Sequence, residues 1–188
     1  MAETSTMLEL GTPMPEATLT DVRTGDPVTL SKFDGDALVV MFICNHCPYV
    51  KHIQPGLVAL GEDYTDESVS IVAISSNDPD AYPDDAPDAL ARVADEVGYP
   101  FPVLYDESQD AAKAFGAACT PDFFVFGRGR TLDYRGQFDD SRPGNHQPVT
   151  GVDLRAAIDA ISTQDEVPIE QHPSVGCSIK WRPGNAPI

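Results

Sequence analysis

Cys44 and Cys47 stand two residues apart in "FICNHCPYVKH", residues 42–52, with His46 between them and His52 closing the stretch. Thiols at this spacing can close a small disulfide ring and exchange it with other disulfides, the thiolate being the attacking species. Cysteine and histidine are also common zinc ligands, so the same residues admit a metal-binding protein or copper chaperone built on Cys44, Cys47 and a histidine. No second ligand pair at zinc spacing follows downstream, and His46 cannot easily chelate alongside both cysteines between which it lies. The redox pair is therefore the leading reading, with no metal and no cofactor expected. Metal analysis of the purified protein separates the two.

The elements that must position this pair are legible around it. "ALVVMFI", 37–43, is apolar on both faces and rich in β-branched residues, as a fully buried central strand is. Val50, Ile53, Leu57 and Leu60 then recur at helical spacing from Pro48 to Tyr64, interrupted by Pro55 and Gly56, which predicts a kinked helix. Cys44 is thus expected at the end of a strand and the start of a helix, where unpaired amides and the helix dipole favour a thiolate.

Further along, "VSIVAIS" (69–75) reads as a second buried strand, "APDALARVADEVG" as a helix opened by Pro and closed by Gly98, and "FPVLYD" as a short strand. "SQDAAKAFGA" is a helix with Ser108 as cap, "DFFVF" and "TLDYRGQF" form a hairpin across "GRGR", and "TGVDLRAAIDAI" is a last helix capped by Thr150. "ATLTDVRTGDPVTL" predicts an earlier hairpin, residues 1–7 read as polar and frayed, and the four-proline tail yields no regular element. Strands alternating with helices, followed by an antiparallel hairpin, imply an α/β fold with a mixed sheet covered by helices. The expected organisation is one domain over 8–163 and an irregular tail, 164–188, packing on it.

The pair "CNHC", the segment "YDESQDAAKAFGAACTPDFFVF", the hairpin "TLDYRGQFDDSRPG" and the tail "PSVGCSIKW" together resemble a thioredoxin-fold group described as thioredoxin-family, thiol-disulfide isomerase or peroxiredoxin-like (AhpC/TSA) proteins. The resemblance spans about Leu10 to Trp181. It implies a thioredoxin fold with an added N-terminal hairpin, thiol-disulfide chemistry at Cys44 and Cys47, a cis peptide bond at Pro121, and substrate contacts at Thr120 and Pro121. Cys44 is expected to attack and Cys47 to resolve the mixed disulfide. His46, when protonated, is expected to stabilise the Cys44 thiolate and make the couple more oxidising than a thioredoxin at about −270 mV. The position six residues before Cys44, an aspartate in thioredoxins, is Leu38. Counted back from Cys44, the Thr and Pro of the peroxiredoxin pattern P-x-x-x-T-x-x-C fall on Met41 and Ala37.

Cys119, two residues before Pro121, reads either as a resolving thiol or as a buried small hydrophobe. Cys177 sits in the tail, where Ile179 and Trp181 could anchor it. A Cys119–Cys177 bond is one of the pairings four cysteines allow. His52 reads as a helix-surface residue, and Arg142 in "DDSRPGNH" as part of a solvated turn or as an anion contact.

With 188 residues the chain can bury about 70% of its unfolded surface and needs no staples. The longest apolar run, "ALVVMFIC", is far short of the roughly 20 residues of a bilayer helix, and the N-terminus lacks a basic region followed by an apolar core. A cytoplasmic protein is expected. The net charge of −18 repels a phosphate backbone, so neither nucleic acid nor membrane is an expected partner. The partners expected are a protein or small-molecule disulfide and an electron donor.

Aspartate outnumbers glutamate 21 to 9, and only 4 of the 12 basic residues are lysine, the balance of a halophilic proteome. A higher melting temperature in molar salt, where the Debye length falls to about 3 Å, is the expected result. A melt unchanged between dilute and molar salt speaks against it. Three activities follow in order: thiol-disulfide oxidoreductase, thiol peroxidase (an antioxidant role) with Cys44 as the peroxidatic residue, and metal binding.

Overall fold

The computed structural model describes residues 2–64 and 68–187. Its strands are β1 (Ala2–Thr4), β2 (Thr18–Asp21), β3 (Pro27–Thr29), β4 (Ala37–Phe42), β5 (Val69–Ser75), β6 (Val103–Tyr105), β7 (Cys119–Thr120), β8 (Asp122–Phe126), β9 (Leu132–Gly136) and β10 (Val175–Ser178). The helices are α1 (Pro48–Asp63), α2 (Pro87–Val97), α3 (Asp110–Ala114) and α4 (Val152–Thr163). None of them is long and apolar enough to cross a membrane.

Seven strands form a mixed sheet in the order β3-β2-β6-β5-β4-β8-β9. β4 lies parallel to β5 and antiparallel to β8, and β5 is parallel to β6, so the βαβ units read from the sequence deliver parallel strands and the late hairpin the antiparallel ones. β4 is buried along its whole length because it has a core on either side. Side chains alternate along a strand. Accordingly Val39 and Met41 face α1 and α4, while Leu38, Val40 and Phe42 face Phe115, Phe124 and the tail residue Ile179. A strand serving two cores has no polar face to offer, which is why its sequence is an unbroken apolar run.

Four local expectations differ from the structure. α1 begins at Pro48 with Cys47 as its N-cap, so Cys44 lies three residues outside the helix. Proline sets the start, since its fixed φ and missing N–H suit the first helical position. The N-cap of α3 is Gln109 rather than Ser108, and the Asp106 carboxylate accepts the Ala111 and Ala112 amides at 3.3 and 3.0 Å. The N-cap of α4 is Gly151 rather than Thr150, with Asp139 Oδ2 accepting the Thr150 and Gly151 amides, each at 2.6 Å. At both helix starts the buried carboxylate acts beside the neighbouring hydroxyl, Ser108 Oγ accepting the Asp110 amide at 3.2 Å and Thr150 Oγ1 the Val152 amide at 3.3 Å.

The fourth concerns both termini. Residues 2–4, expected to fray, form β1, and the tail, expected to be irregular, contains β10. These two strands pair antiparallel, Ala2 opposite Cys177, and β10 pairs again with β7, making a second, three-stranded sheet. Met1 and Ile188, at the ends of these two expectations, lie outside the described residues. The tail is held further by Lys180, whose N–H donates to Asn77 Oδ1 at 2.8 Å and whose carbonyl accepts from Gln109 Nε2 at 2.9 Å. Ile179 is buried and Trp181 packs beside it.

Candidate functional site

Cys44 and Cys47 end up buried together, 2% and 0% exposed, where β4 hands over to α1. Thr120, at the end of β7, serves both. Its hydroxyl stands 3.2 Å from Cys44 Sγ, and its carbonyl oxygen accepts from the Cys47 thiol at 3.1 Å. Pro121 follows through a cis peptide bond. The structure brings Cys44, Cys47 and Thr120 together, with Pro121 next in the chain. Thr120 and Pro121 are however buried, and β10 pairs along the strand edge beside them, Cys177 opposite Thr120. β10 thus covers the strand edge on that side, while Pro121 also borders a small pocket with Tyr49, Ile53 and Phe138.

The two sulfurs hydrogen-bond to each other and so ionise as a unit. This hydrogen bond, helped by those from the Cys177 side chain and from the Val50 and Cys177 amides, draws Cys47 down to about 4 against the effect of burial. The same bond holds the proton on Cys44, which burial and the Asp85 charge also push up, while the Thr120 hydroxyl pulls it down. The dithiol therefore gives up one proton easily and keeps the other. With the remaining proton on Cys44, a charged Cys47 faces the Thr120 carbonyl oxygen at 3.1 Å, an acceptor against an acceptor. With it on Cys47, that carbonyl is satisfied and Cys44 carries the charge under the Thr120 hydroxyl. We take the second arrangement as the reactive one.

The residue that sequence reasoning missed is Asp85. It lies in "PDDAPD", one acid among several, and nothing local distinguishes it. In the structure it is 0% exposed and anchors the cysteine loop. Its Oδ1 accepts the Asn45 and His46 amides at 2.7 and 3.3 Å, and its Oδ2 meets His46 Nδ1 at 2.5 Å and Asn77 Nδ2 at 2.8 Å. A carboxylate only accepts, so His46 Nδ1 carries a proton and donates it to Asp85. Cys44 Sγ is farther from the same nitrogen, at 3.7 Å. Tyr82 stacks on the His46 ring with centroids 4.8 Å apart.

Ligand atoms of Cys44, His46 and Asp85 lie within 4.8 Å of one another, a different trio from the Cys44, Cys47 and histidine set the sequence suggested. Asp85 already accepts four hydrogen bonds and His46 Nδ1 is a donor, so the carboxylate and that nitrogen are committed to protein partners. The arrangement serves to fix the loop and the histidine better than to hold an ion.

The remaining candidates separate by strand geometry. Cys119 pairs opposite Ser178, and Thr120 opposite Cys177. Alternation therefore turns Thr120 and Cys177 to one face and Cys119 to the other, which sets the Cys119–Cys177 pairing aside. Cys119 is buried, its thiol directed at the Pro121 carbonyl at 3.6 Å. Burial first, then the nearby charge of Asp122, pushes it up, so it behaves as a small hydrophobe. Cys177 is half-buried and packs against the cluster that holds Cys44 and Cys47.

His52, expected on the helix surface, is half-buried, and its Nε2 stands 2.7 Å from Ser141 Oγ. Arg142 donates to the Asp139 and Ser141 carbonyls and to Gln137 Oε1, which commits it to its own loop. A cavity of 510 Å³ bordered by Leu10, Arg128, Ile161 and Ile169 contains none of the cysteines and lies apart from this chemistry.

Gly176 is what lets β10 close over the site. A Cβ on it would come 2.0 Å from the Thr120 carbonyl oxygen and 3.0 Å from the Pro121 nitrogen. Both are backbone atoms that cannot swing aside. Gly176→Ala is therefore expected to cost about 1–3 kcal/mol in urea denaturation, the range for overpacking. An unchanged stability would show that the strand does not sit this close.

A model of the AhpC/TSA family matches residues 10–135. Among solved structures, an uncharacterised conserved protein from Geobacillus kaustophilus is 54% identical, with 98% of each chain covered and a TM-score of 0.96. A putative thioredoxin from Neisseria meningitidis is 20% identical over 79% of this chain and 88% of its own, with a TM-score of 0.61. At that identity the likeness speaks for the fold alone, and it is the thioredoxin fold that the sequence led us to expect. The thiol-disulfide oxidoreductase ResA of Halalkalibacterium halodurans is 24% identical over 97 residues, 52% of this chain. The match spans about half of that relative's length, 51%.

Proposed function

The chain belongs to the AhpC/TSA family, and on that premise we propose a thiol-disulfide oxidoreductase whose couple is the Cys44/Cys47 dithiol and its disulfide. The observation that carries this reading is a pair of buried thiols at the helix start, both held against Thr120. In the reductive direction the Cys44 thiolate attacks one sulfur of a substrate disulfide. A Cys44–substrate bond forms, the substrate S–S bond breaks, and the departing thiolate takes the proton of Cys47. The Cys47 thiolate then attacks Cys44 Sγ, releasing the second substrate thiolate and leaving the Cys44–Cys47 disulfide. The substrate gains two electrons and the dithiol loses them.

The test compares insulin-disulfide reduction with hydroperoxide consumption by the wild-type protein. Insulin reduction without fast peroxide turnover is expected. Fast peroxide turnover that survives Cys47→Ser would instead favour the peroxidase, a reading the surroundings of Cys44 do not encourage. Its hydrogen-bond partners among the described residues are Thr120, His46 and Cys47, and the Asp85 carboxylate acts against its thiolate.

His46 tunes the couple in this reading by opposing Asp85. Without the imidazole the buried carboxylate acts on Cys44 alone, and the reduced form loses stability. His46→Ala is expected to lower the reduction potential by about 30 mV for each tenfold change in the exchange equilibrium. A potential at or below that of thioredoxin, and unmoved by His46→Ala, would remove the histidine from the mechanism. The substrate in this reading is a disulfide of a protein or small molecule, the donor a dithiol, and the setting a cytoplasm, salt-rich if the surplus of aspartate is an adaptation.

A further inference from the structure

Cys47 has two sulfur neighbours, and the mechanism above uses only one. The second is Cys177, brought there by β10. Its backbone pairs with Thr120, the residue whose carbonyl accepts from Cys47, and its side chain shares the Thr120 face of that ladder. Gly176 allows the approach, since any larger residue would strike the Thr120 carbonyl. The Cys177 side chain packs against the core cluster that contains Cys47, so the strand brings its thiol toward this sulfur. Cys177 is half-buried where Cys44 and Cys47 are closed off, which makes it the most accessible sulfur of the group.

We propose that Cys177 is a third redox cysteine, which takes over the disulfide from the Cys44–Cys47 pair by attacking Cys47 and so presents it at β10. The inference rests on the oxidoreductase reading and adds a step to it. The Cys177 sulfur bonds to Cys47 Sγ, the Cys44–Cys47 bond breaks, and the Cys177 proton passes to the departing Cys44. One S–S bond is lost and one formed, so no external oxidant or reductant enters. The new Cys47–Cys177 disulfide is then open to a dithiol donor, while Cys44 is free for another substrate.

The environment suits an internal exchange better than attack on free substrates. Burial, with the hydrogen bond to Cys47, pushes the Cys177 thiol up to about 11. It is a weak nucleophile toward partners in solution near neutral pH. Against a sulfur that its strand holds close by, proximity offsets that weakness, effective molarities of well-placed groups reaching about 10⁵ M or more.

The experiment equilibrates the full chain in a glutathione redox buffer, quenches with acid, blocks free thiols with N-ethylmaleimide and maps linked peptides by mass spectrometry. Cys44→Ser is expected to give a Cys47–Cys177 peptide, absent from the double variant Cys44→Ser/Cys177→Ser. The wild type is expected to give both Cys44–Cys47 and Cys47–Cys177 peptides, which keeps the question answerable should a variant unfold. A wild type that reduces insulin and forms only Cys44–Cys47, with a folded Cys44→Ser carrying Cys47 solely as free thiol or glutathione adduct, would overturn the relay and leave the oxidoreductase standing. A wild type that forms no Cys44–Cys47 bond and reduces no insulin would overturn both.

Discussion

Cys44→Ser is expected to abolish insulin-disulfide reduction, a fall of at least about a thousandfold, while leaving the fold intact. A serine hydroxyl is not ionised near neutral pH and forms no stable bond to sulfur, so the first step has no nucleophile. Its oxygen can still receive the Thr120 hydroxyl, which keeps the local contacts. Cys47→Ser is expected to be equally inactive in turnover but to differ in kind. The attack at Cys44 still occurs, nothing resolves it, and a mixed disulfide with the substrate accumulates at Cys44.

These two variants decide where the attacking charge sits. The hydrogen bond between the thiols favours a Cys47 thiolate, whereas the Thr120 carbonyl favours a proton there. Trapping in Cys47→Ser places the nucleophile at Cys44. Trapping in Cys44→Ser instead, at Cys47, would reverse the assignment. Intact-mass measurement of the trapped adduct reads this directly.

The second large effect is on stability, at Asp122. This residue opens β8 opposite Phe42 and is 0% exposed. Its carboxylate has the Ser5 hydroxyl and the amides of Ala118 and Phe123 nearby, yet forms no well-aligned hydrogen bond with any of them. It faces the core of Phe42, Phe124 and Phe126, on the other side of the sheet from Cys44 and Cys47. Burial pushes its carboxyl from an ordinary 3.8 to about 7.

The sign follows from linkage. A carboxyl whose folded pKa is raised holds its proton more tightly in the native state, so the native state is not penalised below the ordinary value of 3.8. The penalty grows as the pH rises from 3.8 to about 7 and is complete above that. Asp122→Asn removes the charge at every pH. It is expected to leave stability nearly unchanged at pH 4 and to raise it by roughly 2–4 kcal/mol at pH 8, each tenfold gain in the carboxyl's proton affinity being worth about 1.36 kcal/mol. Urea denaturation of both proteins at a series of pH values checks this. A difference that does not grow with pH would mean the carboxylate finds better partners than its surroundings suggest.

Much of this protein is written locally. The apolar run of β4, the helical spacing in α1, the glycine ending α2 and the β8–β9 hairpin are each properties of a dozen residues or fewer, and all appear where the sequence places them. So does the cysteine pair, because a strand that must end and a helix that must begin at a proline leave a fixed point for it. Even the second face of β4 is implied by the absence of any polar alternation, the mark of a strand buried twice.

Other features depend on partners far away in the chain. β1 and β10 are made by main-chain hydrogen bonds between residues about 170 apart, and a main-chain donor or acceptor has no sequence signature. Asp85 is one acid in an acidic loop until the fold turns it inward onto the amides of the cysteine loop, where burial gives its charge an effect the others lack. Cys177 looks like a stray thiol in a proline-rich tail, and only the pairing of its strand with Thr120 sets it against Cys47. The sequence by itself determined that there is a dithiol and which elements present it, since those depend on local periodicity and on residue type. The tertiary structure alone decided which charge, which carbonyl and which third sulfur surround it, since those are set by long-range backbone pairing whose partners no local pattern names.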